Sequence, residues 1–404
     1  MRVMTARALG LVALLLALTA APAAAAPLRI YQVPTGGFSL GVPSSWLNVT
    51  AAAPAVLKQL ERVPAFRAFA LAASQSGALK LIAADPVSGG RAYMDVGVER
   101  IGGIPLQAIA AATRSEIVRT VRGQAVVSTT KVTLPAGPAY LIHVAGTPQA
   151  TANDTYEYLL VHDQIEYVLV YVAPAAVWAA YAGLFTSSAG TFGFEQPPDL
   201  SRVVLAGAQV GSGYRVAAFP GGNSFIGEAT LDLCAGTYPS ETLRTGRLQV
   251  TYSHPANTVA VSNEVVTYVP GGARKALAEV TSIARSCASK PVVRSAGGVT
   301  TTFRAAPLHD PQLPGAVAVK LVINARMGTR HATQTGVAIY QIRGDTLSGV
   351  YTFVAKGTTL ADAERVAFHA ALESAHNLGA ARAAVPGKGM GKGKGKGHGG
   401  GFVA

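Results

Sequence analysis

The first 25 residues decide the compartment in which everything after them must fold. Arg2 and Arg7 give a positive start, Leu9 to Leu18 is an apolar run, and a small-residue stretch from Ala20 to Ala26 follows. That is the pattern of a secretory signal. Proline at the first mature position hinders the peptidase, which places the cut after Ala25 and leaves Ala26-Pro27-Leu28 as the new terminus. No cysteine lies near the cut, so no lipid anchor is expected. An exported chain folds where thiols are oxidised, and only Cys234 and Cys287 are present, so one structural disulfide between them is expected. They are too far apart in sequence for CxxC chemistry. Closing so long a loop stabilises a fold by about 4 kcal/mol in the chain-entropy account.

The chain has 404 residues. Without the signal (1-25) and a Gly/Lys-rich tail (385-404), what remains is long enough for two domains, each with its own core. Glu195-Gln196-Pro197-Pro198-Asp199 is the best boundary, because paired prolines end a helix and stiffen a linker. The domains expected are 26-196 and 197-384. The formal net charge of +13 falls to about +7 for the body once the bases of the signal and tail are set aside. No basic run interleaved with aromatics marks a nucleic-acid face, so nucleic acid is not an expected partner. The tail, with Lys388, Lys392, Lys394 and Lys396 among glycines, has the composition of a disordered segment. Two readings stand for it: a solvated terminus, or a weak electrostatic tether to anionic wall polymer or lipid headgroups.

From Ile30 to Phe194 the pattern runs strand, strand, helix, two strands, helix, four strands and a helix. Pro54 to Ala73 has helical spacing, interrupted by Pro64. Ile104 to Val121 is a second helix with Pro105 in its first turn. Tyr167 to Phe185 is nineteen uncharged residues, long enough to span a bilayer. Yet Val168 to Val172 is β-branched and Pro174 is placed to open a helix, so a buried strand followed by a helix is the reading preferred. Tyr158 to His162 and the Asp163-Gln164 turn complete a hairpin with it. The opening Gly37-Phe38-Ser39-Leu40-Gly41-Val42-Pro43-Ser44-Ser45-Trp46 and the closing strand, helix and Phe192-Gly193-Phe194 resemble the PsbP-like fold of small envelope proteins. The resemblance implies a mostly non-catalytic binding fold and carries over no ligand residue.

In the second half, Thr230 to Leu233, Arg244 to Tyr252, Ser262 to Tyr268, Val299 to Arg304, Ala316 to Ala325, Thr333 to Ile342 and Thr346 to Ala355 read as strands. A helix is expected from Gly271 to Ser286, and a last one from a Thr358 or Thr359 cap to a stop before Gly379. The order Leu231-Asp232-Leu233-Cys234, Ser240-Glu241, Arg244, Arg247 and Ser262 to Tyr268, ahead of a helix ending in Cys287, resembles the extracellular sensor domain of actinobacterial receptor serine/threonine kinases and related lipoproteins. That resemblance implies an extracytoplasmic domain for an unknown ligand. The fold class is α+β, with two domains, each a mainly antiparallel sheet packed with helices.

Chemistry-bearing motifs are sparse. There is no GxSxG elbow, and the one SxxK, Ser128 to Lys131, lies in a strand pattern rather than at a helix start. His369, Glu373 and His376 share one face of the last helix, where they read more simply as a solvated face than as metal ligands. No catalytic residue, metal site or cofactor is assigned. The candidate ligand cleft is the polar set near Cys234: Asp232, Glu241, Arg244, Arg247, Asn263 and Glu264. Its blander alternative is cross-strand ion pairing. The expectation is a secreted binding or sensor-like protein of the bacterial envelope, its partner an unidentified envelope ligand or protein. The alternatives are an extracellular hydrolase of wall polymer and a structural or adhesive protein.

Overall fold

A computed structural model describes residues 27-48, 78-121, 125-146, 153-227, 231-256 and 259-384. The signal, the helix expected over Pro54 to Ala73 and the tail lie outside the described residues. The fold is α+β and its strands pair mostly antiparallel, in three sheets. Strands β1 (Leu28–Val33) and β2 (Phe38–Pro43) pair with the short β10 (Gly193–Phe194). A seven-stranded sheet has the order β3-β4-β5-β9-β8-β7-β6. Its strands are β3 (Leu47–Asn48), β4 (Leu79–Ala84), β5 (Tyr93–Arg100), β6 (Ala125–Leu134), β7 (Gly137–Gly146), β8 (Asn153–His162) and β9 (Ile165–Pro174). An eight-stranded sheet has the order β11-β12-β13-β18-β17-β16-β15-β14. It is built from β11 (Arg215–Ala218), β12 (Arg244–Ser253), β13 (Ala260–Tyr268), β14 (Val292–Ala296), β15 (Val299–Leu308), β16 (Val317–Met327), β17 (Arg330–Arg343) and β18 (Thr346–Phe353).

The described residues form two compact units. The first holds those up to Pro198 together with Gly221–Leu248 and Val266–Glu279; the second holds Asp199–Pro220, Gln249–Val265 and those from Val280 onward. The chain thus leaves the first unit at the paired prolines but returns to it. The physical reason is apolar: Phe225 and Ile226 are buried in the same core cluster as Phe38, Tyr167 and Phe192.

In the first unit, alternation along β5 sends Met94, Val96 and Val98 to one face of the seven-stranded sheet. Helix α2 (Trp178–Ala189) covers that face with Tyr181 and Phe185, four residues apart on one side. Helix α1 (Leu106–Val121) brings Ile109 and Ala110 to a separate cluster with Ile142 and Leu159. The Tyr167 to Phe185 stretch is strand then helix, and among the described residues no helix is long and apolar enough to cross a membrane. Asp163 and Gln164, at φ 50° and 64°, make the tight hairpin turn between β8 and β9. Gly41 lets two elements touch: its N–H donates to Thr191 Oγ1 at 2.6 Å, where a Cβ would lie equally close to that oxygen.

In the second unit, α5 (Leu360–Ala384) buries Ala363, Val366, Ala367, Ala370, Ala371 and Ser374. It runs through Gly379, where the sequence placed its end. There the missing side chain makes room for Arg343, whose Nη1 would be 2.9 Å from a Cβ, so this glycine serves packing rather than capping. The capping prediction at the other end holds: Thr359 Oγ1 donates to Asp362 Oδ2 and accepts from the Asp362 N–H. Helix α4 (Gly272–Ser289) is close to its expected span, whereas β11, β14 and the one-turn α3 (Gly207–Val210) were not foreseen.

Candidate functional site

Both cysteines are disulfide-bonded, and none is free. The segment leading to Cys234 is not the strand its apolar pattern suggested, because Leu233–Ala235 is a single 3₁₀ turn. Cys234 and Ala235 sit at φ 54° and 50°, left-handed values that side chains with a Cβ rarely adopt.

Four of the six polar residues singled out near Cys234 lie in the first unit: Asp232, Glu241, Arg244 and Arg247. Arg247 is buried and donates from Nη1 to the carbonyls of Gly221 (3.0 Å) and Ser224 (3.3 Å). Arg244 is buried too, with Nε donating to the Glu241 carbonyl at 2.9 Å. Asp232 keeps an exposed edge, yet the protein packed around it raises its carboxyl above the ordinary range; Glu241 adds to the rise and Arg247 opposes it. Ser240 donates both its N–H (3.1 Å) and its hydroxyl (2.6 Å) to Glu279 Oε2.

Lys80, more than 150 positions upstream, was invisible to a reading of local pattern. It lies within electrostatic reach of Arg244, and burial followed by that guanidinium lowers its ammonium from 10.5 to about 8. Both arginines of this cluster donate to backbone carbonyls. The arrangement holds Gly221–Leu248 in place, as buried charge must be paired or hydrogen-bonded to be tolerated.

The other two candidates belong to the second unit. Asn263 is fully buried and its amide is spent inside the fold: Oδ1 accepts from Leu205 N, and Nδ2 donates to Ser348 Oγ and the Gly349 carbonyl, all at 3.0 Å. Glu264 is also buried and accepts from Tyr351 OH at 3.3 Å. Asn263 is therefore a structural linchpin with no open face toward a ligand.

An open cleft of about 370 Å³ does exist in the second unit, at a place the sequence reading passed over. Its walls come from the loop after α3, the turn between β12 and β13, and the first turns of α5. Val210, Val259 and Val366 supply apolar surface, and the Tyr214 ring leans on His254 with centroids 5.1 Å apart. Ser212, Asp362 and Arg365 supply polar edges.

Ser, His and Asp in one cleft invite comparison with a hydrolytic triad, but the wiring is different. His254 Nδ1 accepts from the Ala256 N–H at 3.1 Å, so that nitrogen cannot donate to a carboxylate as a triad histidine must. Asp362 is committed to the Thr359 cap; the hydrogen bonds from Thr359 hold its carboxyl below the usual range, helped by Arg365. Ser128 and Lys131 lie in β6. On α5, Glu373 accepts from Gln209 at 3.1 Å while His369 and His376 are exposed, and among the described residues no three His, Cys, Asp or Glu side chains gather as metal ligands would.

Among the described residues the fold is α+β with mostly antiparallel sheets, a polar cleft in the second unit and a disulfide. No family profile matches it, and no curated protein matches it. Solved structures similar to it include the cyanobacterial PsbP (CyanoP) of Synechocystis sp. PCC 6803, at 10% identity over 44% of this chain and 97% of that one, TM-score 0.31. Another is the extracellular domain of PknH from Mycobacterium tuberculosis, at 15% identity over 45% of this chain and 98% of that one, TM-score 0.32. A third is the immunity protein TplEi of Pseudomonas aeruginosa, at 8% identity over 85% and 93%, TM-score 0.20. Both resemblances read from the sequence are thus found among solved structures. At these scores they say nothing about a ligand.

Proposed function

We propose that this is an exported envelope protein that binds a small ligand through the second-unit cleft, a binding or sensor-like module without catalytic activity. The observation that supports it most is the cleft itself: its volume lies in the range of small-molecule sites, and it mixes apolar walls with a few polar edges. His254 Nδ1 and the Asp362 carboxylate, which a hydrolytic triad would need, carry structural hydrogen bonds instead. The export pattern and the disulfide fit an oxidising compartment. The domains, in this reading, meet at 197, and the Gly/Lys-rich tail adds weak attraction to anionic wall polymer or lipid headgroups.

A ligand screen by protein-observed NMR tests the reading. Binders should shift the amides of Tyr214, His254 and Val366, whereas a screen that moves only residues outside the cleft would reject it. The hydrolase alternative rests on Ser212, His254 and Asp362 sharing the cleft, and predicts ester or peptide turnover abolished by Ser212→Ala. Deleting 385-404 should weaken sedimentation with anionic vesicles without lowering Tm, and unchanged sedimentation would dismiss the tether.

A further inference from the structure

The cleft's polar edges offer more free hydrogen-bond donors than free acceptors. Arg365 has a side chain 75% exposed, and its guanidinium makes one long contact, 3.4 Å from Nη2 to Asp362 Oδ1, leaving most of its five donors available. His254 uses Nδ1 as an acceptor, so in the neutral ring the proton sits on Nε2, which faces Gly213. A Cβ at Gly213 would come within 2.5 Å of that nitrogen, and the residue's φ of 83° is one glycine tolerates, so no other residue fits beside the ring at the cleft's edge. Ser212 is exposed, and its hydroxyl makes no hydrogen bond among the described residues. Against these donors stands one carboxylate, Asp362, whose Oδ2 already accepts from the Thr359 N–H (3.0 Å) and hydroxyl (2.7 Å). Beside the donors lie the Tyr214 ring and the Val259 side chain.

We infer that the cleft takes a small organic anion, a carboxylate or phosphate ester on a flat apolar body. The anionic head lies against Arg365, His254 Nε2–H and Ser212, and the body lies against Tyr214 and Val259. The inference rests on the binding reading above and goes beyond it in naming the ligand's charge. Guanidinium suits the role because its planar fork meets carboxylate or phosphate with two parallel hydrogen bonds. A neutral or cationic ligand of the same shape would leave those donors unpaired, which is what makes charge the selecting property.

The test uses four probes of one shape, benzoate, phenyl phosphate, benzamide and benzylamine, titrated into the full chain while cleft amides are followed by NMR. Either anion or both should shift Tyr214 and His254, with benzamide and benzylamine at least tenfold weaker. The stronger anion separates a carboxylate from a phosphate ligand. Arg365→Ala should weaken the anions at least tenfold, and Arg365→Lys should recover part of the loss; the side chain is exposed, so both variants should keep the parent Tm. Preference for benzamide or benzylamine, or anion binding untouched by Arg365→Ala, would overturn the inference and leave the binding reading standing. Silence from all four at millimolar concentration would count against both.

Discussion

The two units solve the same problem, covering a sheet with a helix, by opposite means. In the first, large rings fill the gap: Phe185 lies within 5.2 to 6.1 Å of Tyr171, Trp178, Tyr181 and Trp46, and Phe38 stacks on Phe192 at 5.5 Å. In the second, the helix comes close enough to hydrogen-bond with the sheet. Small residues of α5 face it, Thr352 Oγ1 donates to the Ala363 carbonyl (3.0 Å), and Gln341 Nε2 donates to the Ala371 carbonyl (2.8 Å). Ser374 Oγ donates to Ser348 Oγ at 2.7 Å, and Ser348 is the partner of Asn263. An aromatic core gains area and quadrupole geometry but specifies its partners loosely. A close-packed polar layer gains less area and punishes every missing partner, which makes it the more exacting of the two.

That contrast can be broken at each end. Phe185→Ala should cost the most, about 3–5 kcal/mol, since it empties the centre of the aromatic cluster. Both tryptophans, Trp46 and Trp178, belong to the first unit, so urea unfolding followed by tryptophan fluorescence should register that loss directly. Asn263→Ala should cost about 2–4 kcal/mol by orphaning the Leu205 N–H and taking the amide donor away from the Gly349 carbonyl. Its signature is an earlier transition in far-UV circular dichroism with the fluorescence transition unmoved. Coincident shifts in both probes would show that the units melt as one.

A third variant sharpens the electrostatics of the first unit. On the seven-stranded sheet, Asp95 and Glu157 flank Val170 from adjacent strands. Burial, with Glu157 adding to it, raises the Asp95 carboxyl from 3.8 to about 7. The folded chain holds that proton more tightly than the unfolded one, so the stability it contributes is complete below about pH 4 and is lost as pH rises through 7. Asp95→Asn should therefore raise Tm by a few degrees at pH 8 and hardly change it at pH 4. Equal shifts at both pH values would show that the carboxylate ionises without penalty. The smallest effect expected is a gain: Gln164→Gly relieves a left-handed residue in the β8–β9 turn and should add about 0.5–1 kcal/mol, read as a later urea midpoint.

The hairpin was legible because its signals are local: β-branched alternation on both sides of Asp163-Gln164, then a proline able to open the next helix. Helix α1 was legible for the same reason, with Pro105 at its start and apolar residues at helical spacing. The turn at Cys234 was not, because the apolar-polar alternation of Thr230 to Leu233 reads as a strand until the left-handed backbone of Cys234 and Ala235 is seen. Gly379 misled in the same way, since a glycine that ends a helix and one that admits Arg343 look alike in one dimension.

Local pattern alone specifies the alternation of the strands, the amphipathic helices and, with two cysteines and an export pattern, which sulfurs had to pair. These are periodicities and inventories, carried by neighbours along the chain. It takes the folded chain to show that Phe225 and Ile226 belong to a core begun at Phe38, that Lys80 lies within electrostatic reach of Arg244, and that Tyr214, His254 and Arg365 line one cleft. A residue's pattern tells which way it points. What it points at depends on how distant segments close against each other, and that is set by the summed packing of the whole core rather than by any local stretch.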